Sequence, residues 1–198
     1  MWLLSAMAVL ILGAAAALLL GGSHRNNISR LAAIPVVVAA ALGLVPVIQV
    51  LASGCSIQFH FPWQVPFGEF FIELDPLSAW FLLPTLLLAA LCAIYGVGYL
   101  RSQRSHRRLG PVWFFYCLLV LGMTLVLIAR NAVLFLSAWE LMAVSSFFLV
   151  TFEHERESVR SAGWIYLVAT HLGTGFLLVF FILMDRETGS MDFTVWAA

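Results

Sequence analysis

Six long runs of apolar residues, separated by short polar segments, organise the chain. Each run has about 20 residues, the length of helix that crosses the roughly 30 Å hydrocarbon core of a bilayer. Lipid offers no hydrogen-bond partners, so a spanning segment must satisfy its backbone groups internally, as an α-helix does. The pattern predicts an all-α integral membrane protein with six transmembrane helices in a single membrane domain, residues 1–198. The predicted helices cover residues 2–20, 31–52, 77–100, 112–129, 132–152 and 162–184.

Composition supports this class and narrows the chemistry. Apolar residues make up 63% of the chain, charged residues 10%, and the mean hydropathy is +1.01, which excludes an ordinary soluble domain. The formal net charge is zero, so charge gives no reason to expect a nucleic-acid partner. The three cysteines lack metal-binding spacing, and the sequence has no phosphate-binding loop or nucleophile motif. We therefore expect the lipid bilayer as a partner, and no catalytic residues, metal or cofactor.

All ten basic residues are arginine, and their distribution predicts the orientation of the helices. The loops after the first, third and fifth helices contain Arg25, Arg30, Arg101, Arg104, Arg107, Arg108, Arg156 and Arg160. The opposite side has Arg130 and Arg186, together with several acidic residues. Because arginine is enriched in cytoplasmic loops, the arginine-rich side is predicted to be cytoplasmic, with both chain termini outside.

The segment from Gly54 to Asp75, on the predicted outer side, has the pattern of β-structure. Apolar and polar residues alternate from Ile57 to Val65, and a second apolar stretch follows Gly68. This predicts a short β-hairpin-like loop between the second and third helices, lying on the membrane surface. Its aromatic residues are compatible with a structural interfacial belt and with a ligand-binding face.

One acidic residue, Glu140, lies deep in an apolar run. It is separated from the start of the fifth helix at Ala132 by about 12 Å, at 1.5 Å per residue. A carboxylate near the bilayer centre costs at least about 2.5 kcal/mol, so an acid at this position is a candidate functional residue. Ser137 lies about one turn away on the same face. The structural alternative is a protonated Glu140 that makes a single interhelical hydrogen bond.

A second deep polar residue, His171, lies in the sixth predicted helix near Thr170 and Thr174. The fifth and sixth helices are joined by a short loop, and antiparallel packing places His171 within about one helical turn of the level of Glu140. Histidine is the side chain that titrates near neutral pH. We therefore predict a proton path that includes Glu140, His171, Thr174 and Ser137. The alternative for His171 is a neutral ring bonded to a backbone carbonyl.

Three stretches of sequence resemble a known family. They are LDPLSAWF at Leu74–Phe81, ARNAVLFLSAWELMAVSSFFLVTFE at Ala129–Glu153, and SAGWIYLVATHLGTGFLL at Ser161–Leu178. They are similar to the antiporter-like, proton-translocating membrane subunits of complex I and of membrane-bound hydrogenases, above all to the hydrogenase and formate hydrogenlyase branch. The pair of Trp139 and Glu140, preceded by Arg130, Asn131 and an apolar run, carries the most specific part of this resemblance.

The resemblance implies a multi-pass subunit of the bacterial inner membrane, without a catalytic centre of its own, in an oxidoreductase complex. It implies proton translocation coupled to electron transfer, with Glu140 as the proton-path acid. The implied partners are the other membrane and peripheral subunits of a hydrogenase or a complex I-like assembly. His171 stands where the complex I branch often has arginine, which favours the hydrogenase branch.

The family pattern also has parts that this sequence lacks. Complex I relatives pair the glutamate with a lysine on a seventh helix, whereas this chain has six predicted helices and no lysine. We therefore expect the N-terminal part of an antiporter-like module, or one half of a split subunit. The alternative function is a structural segment that docks neighbouring subunits without an ion path of its own. Both H⁺ and Na⁺ are candidates for the coupled ion.

Overall fold

A computed structural model of the chain, which describes residues 1–20, 28–65, 68–100 and 109–196, contains six long helices and a two-stranded sheet. Within these residues, six helices are long and apolar enough to cross a membrane. The predicted fold class, an all-α multi-pass membrane protein with a β-hairpin after the second helix, is confirmed. The elements are α1 (Trp2–Leu20), α2 (Ile28–Ser53), β1 (Ile57–Val65), β2 (Gly68–Leu74), α3 (Pro76–Tyr99), α4 (Gly110–Ile128), α5 (Ala132–Val150), α6 (Glu157–Thr188) and α7 (Phe193–Trp196).

Some residues used for the sequence predictions lie outside the described part of the chain. They are the loop arginines Arg25, Arg101, Arg104, Arg107 and Arg108. The side chains of residues 62–68, in the predicted alternating stretch, are likewise outside it.

The sixth helix is longer than its apolar run. It extends from Glu157 to Thr188, whereas the sequence predicted residues 162–184. The polar side chains in the additional turns, such as Arg160 and Glu187, are exposed, so these turns become helical without losing hydration. Hydropathy therefore could not locate these ends. α6 ends at Gly189, which has a φ of +70°, a left-handed conformation that glycine adopts without a Cβ clash.

Helices α1 to α4 form the packed core of the bundle. Their buried residues are largely alanine, valine and leucine, and small residues allow membrane helices to approach closely. Gly13 of α1 faces Pro35 of α2, and a Cβ on this glycine would overlap with the proline ring. The large side chain of Trp113 on α4 is buried beside Gly96 of α3. This core provides the surface on which α5 packs.

The contact between α4 and α5 depends on one glycine. A Cβ placed on Gly122 would lie 2.9 Å from the backbone nitrogen of Met142 and 3.1 Å from its Cα. These distances are shorter than van der Waals contact, so the two backbones can approach only because residue 122 has no side chain. Met142 follows Glu140 by two residues, so this contact positions the segment of α5 that carries the candidate acid.

Strands β1 and β2 form the predicted hairpin. They pair antiparallel in the register Ile57↔Leu74 to Phe61↔Phe70, with an irregularity between Phe61 and Val65. Ile72 and Leu74 are fully buried, whereas Gln58 and His60 are exposed. The apolar face of the hairpin thus packs on the helix core, which favours a structural role for that face over ligand binding.

The hairpin continues into a hydrogen-bonded layer at one end of the bundle, which we call the hairpin end. The backbone nitrogen of Arg130 donates to the carbonyl of Phe71 at 2.9 Å, and Ala129 lies opposite Ile72. On the other side of this loop, the nitrogen of Phe193 donates to the Arg130 carbonyl at 2.8 Å. The α4–α5 loop therefore lies between the hairpin and the segment after α6, and it joins the two.

The Arg130 side chain adds ion pairs to this layer. Its Nε lies 2.9 Å from Oε2 of Glu73, and its Nη2 lies 2.8 Å from Oδ2 of Asp75; the three side chains are 21%, 13% and 27% exposed. Asp75 also caps α3 by accepting a hydrogen bond from the nitrogen of Ser78 at 2.7 Å. Burial raises the pKa of the Asp75 carboxyl, but the hydrogen bonds from Ser78 and the charge of Arg130 together outweigh it, so the pKa is lowered from its ordinary value.

We expect Gly122→Ala to reduce the free energy of unfolding by about 1–3 kcal/mol, the usual cost of overpacking. The added methyl group would overlap with the main chain of Met142, which cannot rotate away. Gly98→Ala is the matched control, because no atom lies within 4 Å of a Cβ built there. Both variants are compared with the wild type by denaturant titration in detergent. Equal stability of all three proteins would contradict the close α4–α5 contact.

We expect Asp75→Asn to destabilise the protein at neutral pH but not in acid. Asparagine can still cap α3, yet it has no charge for Arg130. The pKa of Asp75 is lower in the folded state than the unfolded value of about 3.9, so its charge stabilises the fold above that pH. This stabilisation is lost as the pH falls through the lower, folded value. The difference in unfolding free energy between wild type and variant should shrink below about pH 4; a difference independent of pH would contradict the ion pair.

Candidate functional site

The predicted polar residues meet where α6 crosses the middle of α5. Oγ1 of Thr174 lies 2.6 Å from Oε1 of Glu140, a short interhelical hydrogen bond. The same hydroxyl oxygen lies 3.1 Å from the carbonyl oxygen of Thr170 in its own helix. A threonine hydroxyl has one proton to donate and two lone pairs that accept, so these two oxygens are alternative acceptors for one proton.

The ring of His171 is held by its own helix and faces Glu140. Its Nδ1 lies 2.9 Å from the carbonyl oxygen of Leu167. A carbonyl only accepts, so Nδ1 carries the proton in this bond, and in the neutral ring Nε2 has none. Nε2 lies 3.7 Å from Oε2 of Glu140, which is an ion-pair distance, and an approach of about 0.5–1 Å would make it a hydrogen bond.

Ser137, the fourth predicted residue, has its hydrogen bond within its own helix. Its hydroxyl donates to the carbonyl of Val133 at 2.8 Å, and the residue is exposed. The structure thus brings Glu140, Thr174 and His171 together and leaves Ser137 about one turn from them, toward the hairpin end.

The site opens onto a face of the bundle that the described part of the chain does not cover. The side chains of Glu140 and His171 are 36% and 53% exposed. Of the residues of α6, Gly163 and Phe181 are buried, and its large apolar side chains are otherwise mostly exposed. α6 is therefore held to the bundle along a narrow line of contact that contains the site.

Two polar residues at the hairpin end fix the ends of the site helices, and the sequence reasoning did not single them out as a pair. Oδ1 of Asn131 accepts hydrogen bonds from the nitrogens of Val133 and Leu134, which caps α5. Nδ2 of Asn131 donates to Oδ1 of Asp192, beyond the end of α6, at 2.9 Å. An asparagine directly before an apolar run is an N-cap signal, but nothing in the sequence pairs it with a residue 61 positions later.

The site offers few ligands for a metal ion. Among the described residues, no group of three or more histidine, cysteine, aspartate or glutamate side chains could hold one. The arrangement of a carboxyl, a hydroxyl and an imidazole is instead suited to holding and moving a proton.

The stretch that contains both site helices matches a known family. Residues 129–197 match the family described as NADH:quinone oxidoreductase/Mrp antiporter, TM. Hydrogenase-4 component B of Escherichia coli (strain K12) is 31% identical over 178 residues, which cover 90% of this chain and 26% of that protein. NADH-quinone oxidoreductase subunit N of Herminiimonas arsenicoxydans is 31% identical over 130 residues, which cover 65% of this chain and 26% of that protein.

A solved structure has the same fold. A chain of the Mrp complex from Dietzia sp. aligns with a TM-score of 0.76 and 25% identity, over 97% of this chain and 20% of that chain. This chain spans about a quarter of the length of the curated relatives it matches. The resemblance predicted from the sequence is confirmed: the part of the chain that carries both site helices matches the NADH:quinone oxidoreductase/Mrp antiporter family, and the chain as a whole is similar to the hydrogenase branch of these multi-pass membrane proteins.

Proposed function

We propose that this chain is part of a proton-translocating subunit of a respiratory or hydrogenase complex, in which Glu140 takes up and releases the proton. The observation that supports this most is the 2.6 Å bond between Glu140 and Thr174, with His171 at 3.7 Å from the same carboxyl. In this proposal residues 1–198 form one membrane domain, and Ser137 lines the path one turn toward the hairpin end.

The Thr174 hydroxyl can serve both protonation states of Glu140 without moving heavy atoms. When Glu140 is ionised, the hydroxyl donates to Oε1 at 2.6 Å. When Glu140 is protonated, its own O–H can donate to Oγ1, while the hydroxyl turns to donate to the Thr170 carbonyl at 3.1 Å. Reorientation of the Thr174 O–H group is therefore enough to accommodate the change in protonation, and the helices do not have to rearrange. An acid that gains and loses a proton repeatedly requires such a partner.

His171 supplies a second place for the proton. Its Nδ1–H is fixed by the Leu167 carbonyl, so the unprotonated Nε2 is the atom that faces Glu140. A proton that leaves the carboxyl can be accepted there, because the ring nitrogen that has no proton carries a lone pair. The neutral ring bonded to a backbone carbonyl, which the sequence left as the alternative for His171, has this same Nδ1 bond. In our proposal this neutral form is the one that accepts the proton.

The alternative is a docking segment in which Glu140 stays protonated and only joins two helices. That role needs the Thr174 bond alone, and it gives no reason for an imidazole acceptor beside the same carboxyl. Ionisation of Glu140 in contact with lipid would be costly, and its side chain is partly exposed. In our proposal, the remainder of a full-size subunit, together with water, covers this face and allows the acid to ionise.

We base the energy source of proton translocation and the partner subunits in this proposal on the names of the relatives. The hydrogenase and NADH-quinone oxidoreductase subunits to which this chain is similar point to electron transfer as the energy source. We therefore include other membrane subunits and peripheral redox subunits as partners, in the bacterial inner membrane. In this proposal the loops between α1 and α2, α3 and α4, and α5 and α6 are cytoplasmic, and the termini and the hairpin end are outside; the distribution of arginine supports this orientation.

We expect Thr174→Val to impair both stability and transport, and Thr174→Ser to preserve them. Valine has nearly the volume of threonine but no hydroxyl, so Glu140 loses its interhelical partner in either protonation state. Interhelical hydrogen bonds in membranes contribute about 0.6–1.7 kcal/mol, which sets the expected loss of stability for the valine variant. Denaturant titration and proton uptake into proteoliposomes measure the two effects. Normal proton uptake by the valine variant would exclude Thr174 from the path.

We expect Glu140→Gln, made in the membrane complex that contains this chain, to reduce proton translocation at least ten-fold, because the amide has no proton to release at any accessible pH. Glu187→Gln is the matched control, since it makes the same chemical change at an exposed position near the end of α6. Proton uptake and Na⁺ flux are both measured in proteoliposomes with the electron donor present.

The two functions give different results in this experiment. Loss of proton uptake in Glu140→Gln, with a complete set of subunits and a normal Glu187→Gln control, supports the proposal. Normal uptake together with loss of bound subunits would favour the docking role. A Na⁺ flux that depends on Glu140, without proton movement, would contradict the proposed ion.

A further inference from the structure

α6 contacts α5 at a few points, so the position of Thr174 depends on how the two ends of α6 are held. Near one end, Gly163 lies against Phe147 and Thr151, close to the turn that connects the two helices. Near the other, Phe181 packs edge-to-face on Phe135. Between these two points α6 has no buried residue, so sliding of the helix meets little resistance from packing.

Asn131 holds the end of α6 with one side chain that also begins α5. Its Oδ1 accepts from the first turn of α5, and its Nδ2 donates to Asp192. Asn131 is 2% exposed, so its side chain is shielded from water, whereas Asp192 is half-buried. The backbone adds a bond in the same place, from the nitrogen of Ala132 to the carbonyl of Met191 at 2.9 Å.

The hydrogen bond between Thr174 and Glu140 depends on this connection, because it tolerates only a small displacement of α6. A slide of α6 by about 2 Å, across a bond of 2.6 Å, would lengthen the distance between Thr174 and Glu140 to about 3.3 Å, which is beyond the range of a good O–H···O bond. The connecting turn limits such movement at one end of α6, and the bond between Asn131 and Asp192 limits it at the other.

We propose that Asn131 and Asp192 are positioning residues for the acid site: their hydrogen bond sets the register of α6 against α5 and so keeps Thr174 within hydrogen-bond distance of Glu140. The functional part of this inference rests on the proposed role of Glu140. The geometric part concerns only the Glu140–Thr174 bond and is tested without transport.

An exchange of the two side chains tests the pair. Asn131→Asp retains an oxygen to cap α5 but places a second carboxylate against Asp192. Asp192→Asn removes a charge but retains an acceptor for the Asn131 amide. The double variant Asn131→Asp with Asp192→Asn restores one donor and one acceptor with the direction of the bond reversed. Asp192→Ala, which breaks the bond without touching the cap of α5, replaces Asn131→Asp if that variant does not accumulate.

The readout is the infrared band of the Glu140 carboxyl in the lipid-embedded protein, identified by its loss in Glu140→Gln. We expect Asn131→Asp and Asp192→Ala to move this band to the frequency that it has in Thr174→Val. Asp192→Asn and the double variant should keep the wild-type frequency. Proton translocation should fall roughly ten-fold or more in Asn131→Asp and Asp192→Ala, and stay near the wild-type rate in the other two variants. A misplacement of a reacting group by about 1 Å can reduce a rate by up to about 10²-fold.

A purely structural role gives a different pattern. If Asn131→Asp and Asp192→Ala lower the stability but leave the Glu140 band at the wild-type frequency, the pair does not position the site. A double variant shifted as far as Asn131→Asp would also overturn the inference. If the band shifts as expected while Glu140→Gln transports protons normally, the positioning stands and the proposed function fails.

Discussion

Glu140 places a single carboxyl group in an apolar layer of the bundle, and the surrounding structure has to accommodate it. Glu140 must be able to carry a charge where a charge is costly, so its surroundings have to supply polar partners from other parts of the chain. Thr174 and His171 do so from α6, across the interface between two helices. The position of α6 relative to α5 therefore decides whether the acid has polar partners. The other contacts of the bundle matter to the site because they control that position.

The bundle divides this task between a packed core and a hydrogen-bonded end layer. Helices α1 to α4 pack through small residues, and Gly122 lets α5 lie directly on α4, which fixes Glu140 relative to the core. α6 has almost no such packing and is positioned at its ends. At the hairpin end, backbone bonds of Arg130 connect the hairpin to the segment after α6, and the Asn131 side chain connects α5 to Asp192. Polar bonding at the membrane boundary thus substitutes for apolar packing within it.

The fold could be predicted largely from the sequence, because hydropathy and alternation are local signals. The six helices and the hairpin follow from them, and the depths of Glu140 and His171 in their runs placed the two residues within about one helical turn of the same level. The predicted ends of α6 were wrong, because exposed polar turns extend the helix without an apolar signal in the sequence. The bond between Asn131 and Asp192 was missed, since it joins a cap to an irregular segment far along the chain. The bond of Ser137 to its own helix likewise depends on a rotamer, which periodicity does not specify.

If Glu140 takes up and releases a proton during function, an infrared pH titration of its carboxyl will detect the change. The measurement uses the membrane complex in lipid, with the band assigned by its loss in Glu140→Gln. We expect the intensity of the protonated-carboxyl band to fall reversibly as the pH rises, and to change again when the electron donor is added. A band of constant intensity under all these conditions would mean that Glu140 is permanently protonated, and it would exclude Glu140 as the group that carries the proton.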